Sequence, residues 1–185
     1  MSLSIRQLQK LIGVGAIAAP GIHTLTDIAE WSAGGFSTPQ LWVNYFAFLV
    51  LPFLMVGLYT VQRPKIGTLG LIGSLLYGAS FVYFAHTTLY ALAEQTPDYE
   101  TLWERLGNLY TMHGFLMILG GIAFGAATYR ASVFPRWTPV VFLAGVLLNL
   151  VLTLVAAPDL FQTLGSALRN LGLIGMGAYL VRGVH

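Results

Sequence analysis

Residues 41–61 read LWVNYFAFLVLPFLMVGLYTV and contain no charged side chain. A helix needs roughly 20 apolar residues to cross the hydrocarbon core of a bilayer, and this stretch supplies them without a break. Five further windows of the same kind flank Leu41 to Val61: Leu11 to Ala29, Ile66 to Ala93, Leu106 to Tyr129, Thr138 to Ala157, and Leu160 to Val181. The composition agrees, with 56% of residues hydrophobic and 9% charged. A soluble chain of that make-up could not cover its surface with polar groups. The sequence predicts an all-α integral membrane bundle of six transmembrane helices, in which residues 1–185 form a single domain.

The charges predict how the bundle is oriented. Arg6 and Lys10, Arg63 and Lys65, Arg130 and Arg136, and Arg182 occupy the N-terminus, the second and fourth loops and the C-terminus, which six spans place on one side. Basic loops stay cytoplasmic, so both termini are expected inside. All seven acids, Asp27, Glu30, Glu94, Asp98, Glu100, Glu104 and Asp159, then fall at or near the outer ends. The sequence pI near 9.0 is explained by anchors facing anionic lipid headgroups, and it gives no ground for a nucleic-acid partner. A basic start, a short apolar run and Ala16-Ile17-Ala18 imitate a signal-peptide cleavage site. Pro20 lies just beyond that site, and the segment is expected to be retained as the first span of a protein of the bacterial plasma membrane. Absence of cysteine excludes disulfides and thiolate chemistry.

Between the third and fourth spans, Glu94 to Arg105 differs from the short proline-containing inner turns. Asp98 follows Pro97 as a candidate N-cap, and Tyr99, Leu102, Trp103, Leu106 and Tyr110 recur at helical spacing. This predicts a short interfacial helix in the second outer loop that runs on into the fourth span and serves as an anchor or as a lid. Gly67, Gly70 and Gly73, Gly114, Gly121 and Gly125, and Gly165, Gly172 and Gly175 include three- and four-residue spacings and predict close helix packing. Pro20 is expected to kink the first span just below His23.

The most informative functional pattern is a matter of depth. At 1.5 Å rise per residue, His23 lies roughly 10 Å below Glu30, His86 about 12 Å below Glu94, and His113 about 12 Å below Arg105. Asp27 shares a helix face with His23, Tyr83 and Tyr90 share one with His86, and Tyr110 shares one with His113. Asn149 lies at a similar depth on span five, and Arg169 on span six sits about 15 Å below Asp159. Such an arginine costs about 2.5 to 3.5 kcal/mol even on a lenient insertion scale, and it cannot neutralise itself by losing a proton. It requires a partner, either Asp27 or a bound anion. His23, His86, His113 and Arg169 are therefore expected to converge on one outer-half pocket, whereas His185 at the terminus plays no part.

Three chemistries suit such a pocket. The first is a binding, carrier or accessory protein whose outward-facing site holds a small amphiphilic or anionic ligand, with Arg169 opposing its acid group and Tyr83, Tyr90, Tyr110, Asn149 and the histidines hydrogen-bonding it. The second is a b-type haem held by two imidazoles, either His86 with His113 or one of them with His23. The third is a divalent metal on His23, His86, His113 and Asp27 in a hydrolase acting on outer-leaflet lipid, although no HExxH spacing is present. Six spans, inside termini and Gly15 with Ala19 as a small-residue docking face resemble, in architecture, the substrate-binding subunits of bacterial vitamin-uptake transporters. That resemblance implies a membrane-protein partner or a second copy docked through Gly/Ala-rich helix faces.

Overall fold

A computed structural model describes residues 4–155 and 159–183, with the side chains of 159 and 160 left out. His185, the end of the 138–157 window and the side chain of Asp159 therefore lie outside the described residues. The described residues form seven helices and no strand: α1 (Ile5–Ala33), α2 (Thr38–Gln62), α3 (Gly67–Ala93), α4 (Tyr99–Leu106), α5 (Asn108–Ala131), α6 (Trp137–Leu154) and α7 (Asp159–Arg182). Five of them, α1, α2, α3, α5 and α6, are long and apolar enough to cross a membrane. Although α7 matches the expected sixth window in length, the polar residues at Gln162, Ser166, Arg169 and Asn170 leave it short of the same apolar standard.

Local chemistry sets the helix ends. Ser4 and Gln7 form a reciprocal capping box at the start of α1, and Gly34 in the left-handed region closes that helix by donating to Glu30 and Trp31 carbonyls. Despite Pro20, α1 continues as helix on both sides of the ring. Asp98 caps α4 as expected, accepting from the Thr101 backbone N–H at 2.8 Å. The expectation that this helix runs on into the next span is corrected at Gly107, whose φ of 51° and ψ of −124° suit only glycine and break α4 from α5. Phe36 N–H donates to the Pro97 carbonyl at 2.6 Å, tying the α1–α2 turn to the α3–α4 turn at the same end of the bundle.

Each long helix packs against its neighbours in the closed order α1, α2, α3, α5, α6, α7 and back to α1. Glycine lets three of these pairs meet backbone to backbone. Gly73 lies on the α5 backbone at Phe124 while Gly120 lies on the α3 backbone at Tyr77; Gly145 and Gly172 do the same between α6 and α7, and Gly13 and Gly177 between α1 and α7. Of the glycines expected to pack, Gly67 and Gly114 meet nothing within 4 Å; Gly67 instead has a φ of +64° where α3 begins. Ala19 is buried in the chain's own core, so it does not share an open docking face with Gly15.

The distribution of polarity is inverted relative to a soluble protein. Phe53, Leu25, Phe46, Phe115 and Leu154 are exposed, whereas His23, Asp27, Asn44, His113, Asn149, Arg169 and Asn170 are buried. An exterior of large apolar side chains around a partly polar interior fits a lipid environment. The reciprocal glycine contacts make one prediction. Gly73→Leu and Gly120→Leu drive side chains into a facing backbone and should each cost about 1–3 kcal/mol or more, whereas Gly114→Ala should be nearly neutral. Loss of monodisperse protein after heating in detergent measures the difference.

Candidate functional site: a buried polar layer around Arg169

One face of α1 carries His23, Thr26, Asp27 and Glu30, which recur every three or four residues and all turn into the bundle. His23 Nε2 lies 3.5 Å from Asp27 Oδ1, one turn further on. Across the helix pair, Asn170 of α7 approaches His23 Nδ1 at 3.3 Å and donates to Thr24 Oγ1 at 3.0 Å. From α2, Asn44 Oδ1 accepts from Thr26 Oγ1 at 3.2 Å. Three polar residues of α1, His23, Thr24 and Thr26, are thus joined to α2 or α7 at one level.

Arg169 lies beside Asn170 and is 2% exposed. Its backbone rests against Gly145, where any larger residue in α6 would push α7 away. The guanidinium donates from Nη1 to the Met117 sulfur of α5, and its Cζ lies 5.8 Å from the Phe81 ring centre and 6.0 Å from that of Tyr77. Aromatic faces and a thioether are soft partners that do not neutralise a cation. Among the described residues Arg169 makes no ion pair with a carboxylate: the expected direct pairing with Asp27 is replaced by Asp27 on His23. Asp27 and His23 nonetheless lie within reach of its field. Arg169 Nε and Asn170 Oδ1 are buried without a hydrogen-bond partner.

The expected convergence of all three histidines is not what the helix faces produce. His86 is exposed on the outside of α3. His113 is fully buried, its ring stacked on Tyr83 at 4.8 Å with 15° between planes, and neither ring nitrogen has a partner. Phenylalanines separate it from His23, which contacts Phe48 at 4.8 Å; Phe48 contacts Phe84 at 5.9 Å, and Phe84 contacts His113 at 5.8 Å. Tyr110 is half-buried near His113, Tyr90 packs in the small apolar cluster under α4, and Tyr83 lies at the bundle surface. Asn149 turns away to donate to the Gln162 carbonyl at 2.9 Å. Asn44, Met117, Tyr77 and Phe81 join the layer without having been expected there. Rise along α2 makes Asn44 shallower than the histidines, but it says nothing of how α1 is offset beside it.

These placements test the cofactor chemistries. Among the described residues no three His, Cys, Asp or Glu side chains gather closely enough to hold a metal ion, so the set His23, His86, His113 and Asp27 does not form a metal site. A bis-histidine haem does not fit either. His86 faces outward, His113 is covered by Tyr83 and Phe84, and His23 is held between Asp27, Asn170 and Phe48.

Above the layer, Leu102 of α4 closes a cavity of about 20 Å³ lined by Asn44, Thr87, Thr88 and Tyr110 among others. That is roughly the space of one water. In this helix the α4 cap is also an electrostatic contact: the Thr101 backbone N–H, and its side chain to a lesser degree, hold the Asp98 carboxyl below the usual carboxylate range. Comparison with known proteins finds no match: no family model fits the sequence, and no curated protein or solved structure is similar enough to count as a relative. The chemistry therefore rests on the residues themselves, in a helical bundle whose long apolar helices suit a bilayer.

Two outcomes follow from this geometry. Asn170→Leu strands His23 Nδ1 and Thr24 Oγ1 and should lower stability by about 1–3 kcal/mol, read as a fall in Tm. Asp98→Ala should fray α4 at a cost of about 1 kcal/mol, seen as faster amide exchange at Thr101 and Leu102. Because the folded carboxyl titrates below its unfolded value, the cap's contribution is complete above about pH 4. It is lost as pH falls through the lower folded value, and acidification should reproduce the Asp98→Ala exchange pattern.

Proposed function

We propose that this chain is an integral membrane binding or carrier protein of six spans, with both termini cytoplasmic and α4 on the outer face, whose site takes a small anionic or amphiphilic ligand. The observation that carries this reading is the counter-ion deficit at Arg169. A guanidinium at 2% exposure faces aromatic rings and a thioether, while its Nε and the neighbouring Asn170 Oδ1 have no partner. An acid group on the ligand would supply charge and an acceptor for Nε, and a hydroxyl or amide would satisfy Asn170. In this reading entry is from the acidic end, where Leu102 of α4 lines a small cavity together with Asn44, the residue that Thr26 bonds. For α7, its length of 24 residues supports a sixth span, its polar residues being turned to the interior.

Orientation is testable directly because the chain has no cysteine of its own. In intact cells, Glu100→Cys should react with a membrane-impermeant maleimide, and Lys65→Cys should react only after permeabilisation. Equal labelling of both would overturn the orientation.

The site is tested by native mass spectrometry of protein extracted in mild detergent. Wild type should retain an anionic adduct that Arg169→Met loses. Arg169 makes no carboxylate pair among the described residues that its loss would break, and an apolar side chain of similar volume removes the cost of burying the charge, so Arg169→Met should melt no lower than wild type. Equal adducts in the two proteins, or none in either, would remove the ligand. A large fall in Tm would mark Arg169 as a structural group.

A further inference from the structure

At the end of the bundle opposite α4, the start of α1, the α2–α3 turn, the α5–α6 turn and the end of α7 surround a cleft of about 300 Å³. This is the lower end of the range for ligand pockets. Its lining combines the apolar side chains of Val61, Val133 and Leu180 with the polar ones of Gln9, Lys65 and Tyr179. None of these three polar side chains hydrogen-bonds another described residue. Ser132, also in the lining, turns its hydroxyl back to the Tyr129 carbonyl at 3.2 Å.

The cleft sits in an unopposed positive field. Arg6, Lys10, Arg63, Arg130, Arg136 and Arg182 lie on the same chain segments as its lining residues, and all seven acids lie towards the other end. Among the described residues Lys65 is the only cation in the lining itself, and a single hydrated lysine holds a free anion weakly. Combined with the half-buried Val61 and Val133 in the same lining, this lysine suits an amphiphile.

We propose that this cleft binds the headgroup of an anionic phospholipid from the leaflet at the basic end. Lys65 meets the phosphodiester, Gln9 and Tyr179 donate to its oxygens or to headgroup hydroxyls, and Val61, Val133 and Leu180 take the adjoining acyl carbons. This site is distinct from the Arg169 layer and does not depend on its ligand.

The test uses the whole protein in mixed detergent micelles, titrated with dioleoylphosphatidylglycerol or dioleoylphosphatidylcholine and read by native mass spectrometry. Wild type should prefer phosphatidylglycerol, and Lys65→Glu should reduce that preference by at least about tenfold. Lys65→Arg should retain it, and Gln9→Leu should weaken it in the same direction as Lys65→Glu. Arg136→Glu makes the same change in net charge at a residue held over the Tyr129 ring, outside the cleft lining, and should alter the preference much less. Equal losses from Lys65→Glu and Arg136→Glu would assign the preference to the diffuse field and overturn the site. Full displacement of lipid by millimolar inorganic phosphate would assign it to a free anion and overturn the lipid. No preference in wild type would overturn both.

Discussion

A guanidinium cannot shed its charge, and the arrangement around Arg169 follows from that constraint. Burying it in the bundle requires a helix less apolar than its neighbours, which is why α7 carries Gln162, Ser166 and Asn170 with it. It also requires groups that attract a cation without water, and α3 supplies these as the faces of Tyr77 and Phe81, α5 as Met117. Asp27 lies in the same layer but contacts His23, so the guanidinium and the carboxyl group share a level without a direct bridge between them. Such an arrangement retains attraction for an added anion that a closed Arg–Asp pair would have cancelled.

Close backbone approach makes this placement possible. Gly145 puts α6 directly against the backbone of Arg169, and Gly172 returns the contact one turn later at Phe142. On the far side of α7, Gly13 and Gly177 bring α1 in, which sets Asn170 against His23 and Thr24. The aromatic core formed by Tyr77, Phe81, Phe124 and Phe142 then fills the centre that the small residues leave. Small-residue seams and large central rings are complementary parts of one packing solution.

Much of this architecture is legible in the sequence because it depends on one-dimensional properties. Apolar run length marks the long helices, segregated charge marks the ends, and Asp98 after Pro97 marks α4. Depth along a helix is equally readable, and in the structure His23 lies 3.3 Å from Asn170, the neighbour of Arg169. The azimuth of a side chain is not readable in this way, because it depends on which neighbours a helix acquires. His86 and Tyr77 occupy one helix, yet α3 turns Tyr77 into the centre and His86 outward. An almost uniformly apolar α3 carries no amphipathic signal to say which face is which. Gly107 escaped for a different reason: the helical spacing continues through it, and only its backbone angles reveal the break.

The two halves of the bundle differ in what their buried polar groups do. In the Arg169 layer hydrogen bonds cross between helices, from Asn170 to α1 and from Thr26 to Asn44. Towards the basic end Gln62, Ser74 and Thr138 are buried too, but each bonds a carbonyl of its own helix or the turn before it. Such bonds stay within one helix or its adjoining turn and do not tie helices together, although Gln62 Oε1 is left without a partner. Between them Leu51, Met55, Leu58, Leu173 and Met176 close the interior completely. The polar cross-links between helices are thus concentrated at the level of Arg169, and the packed apolar side chains beneath them separate that layer from the basic end.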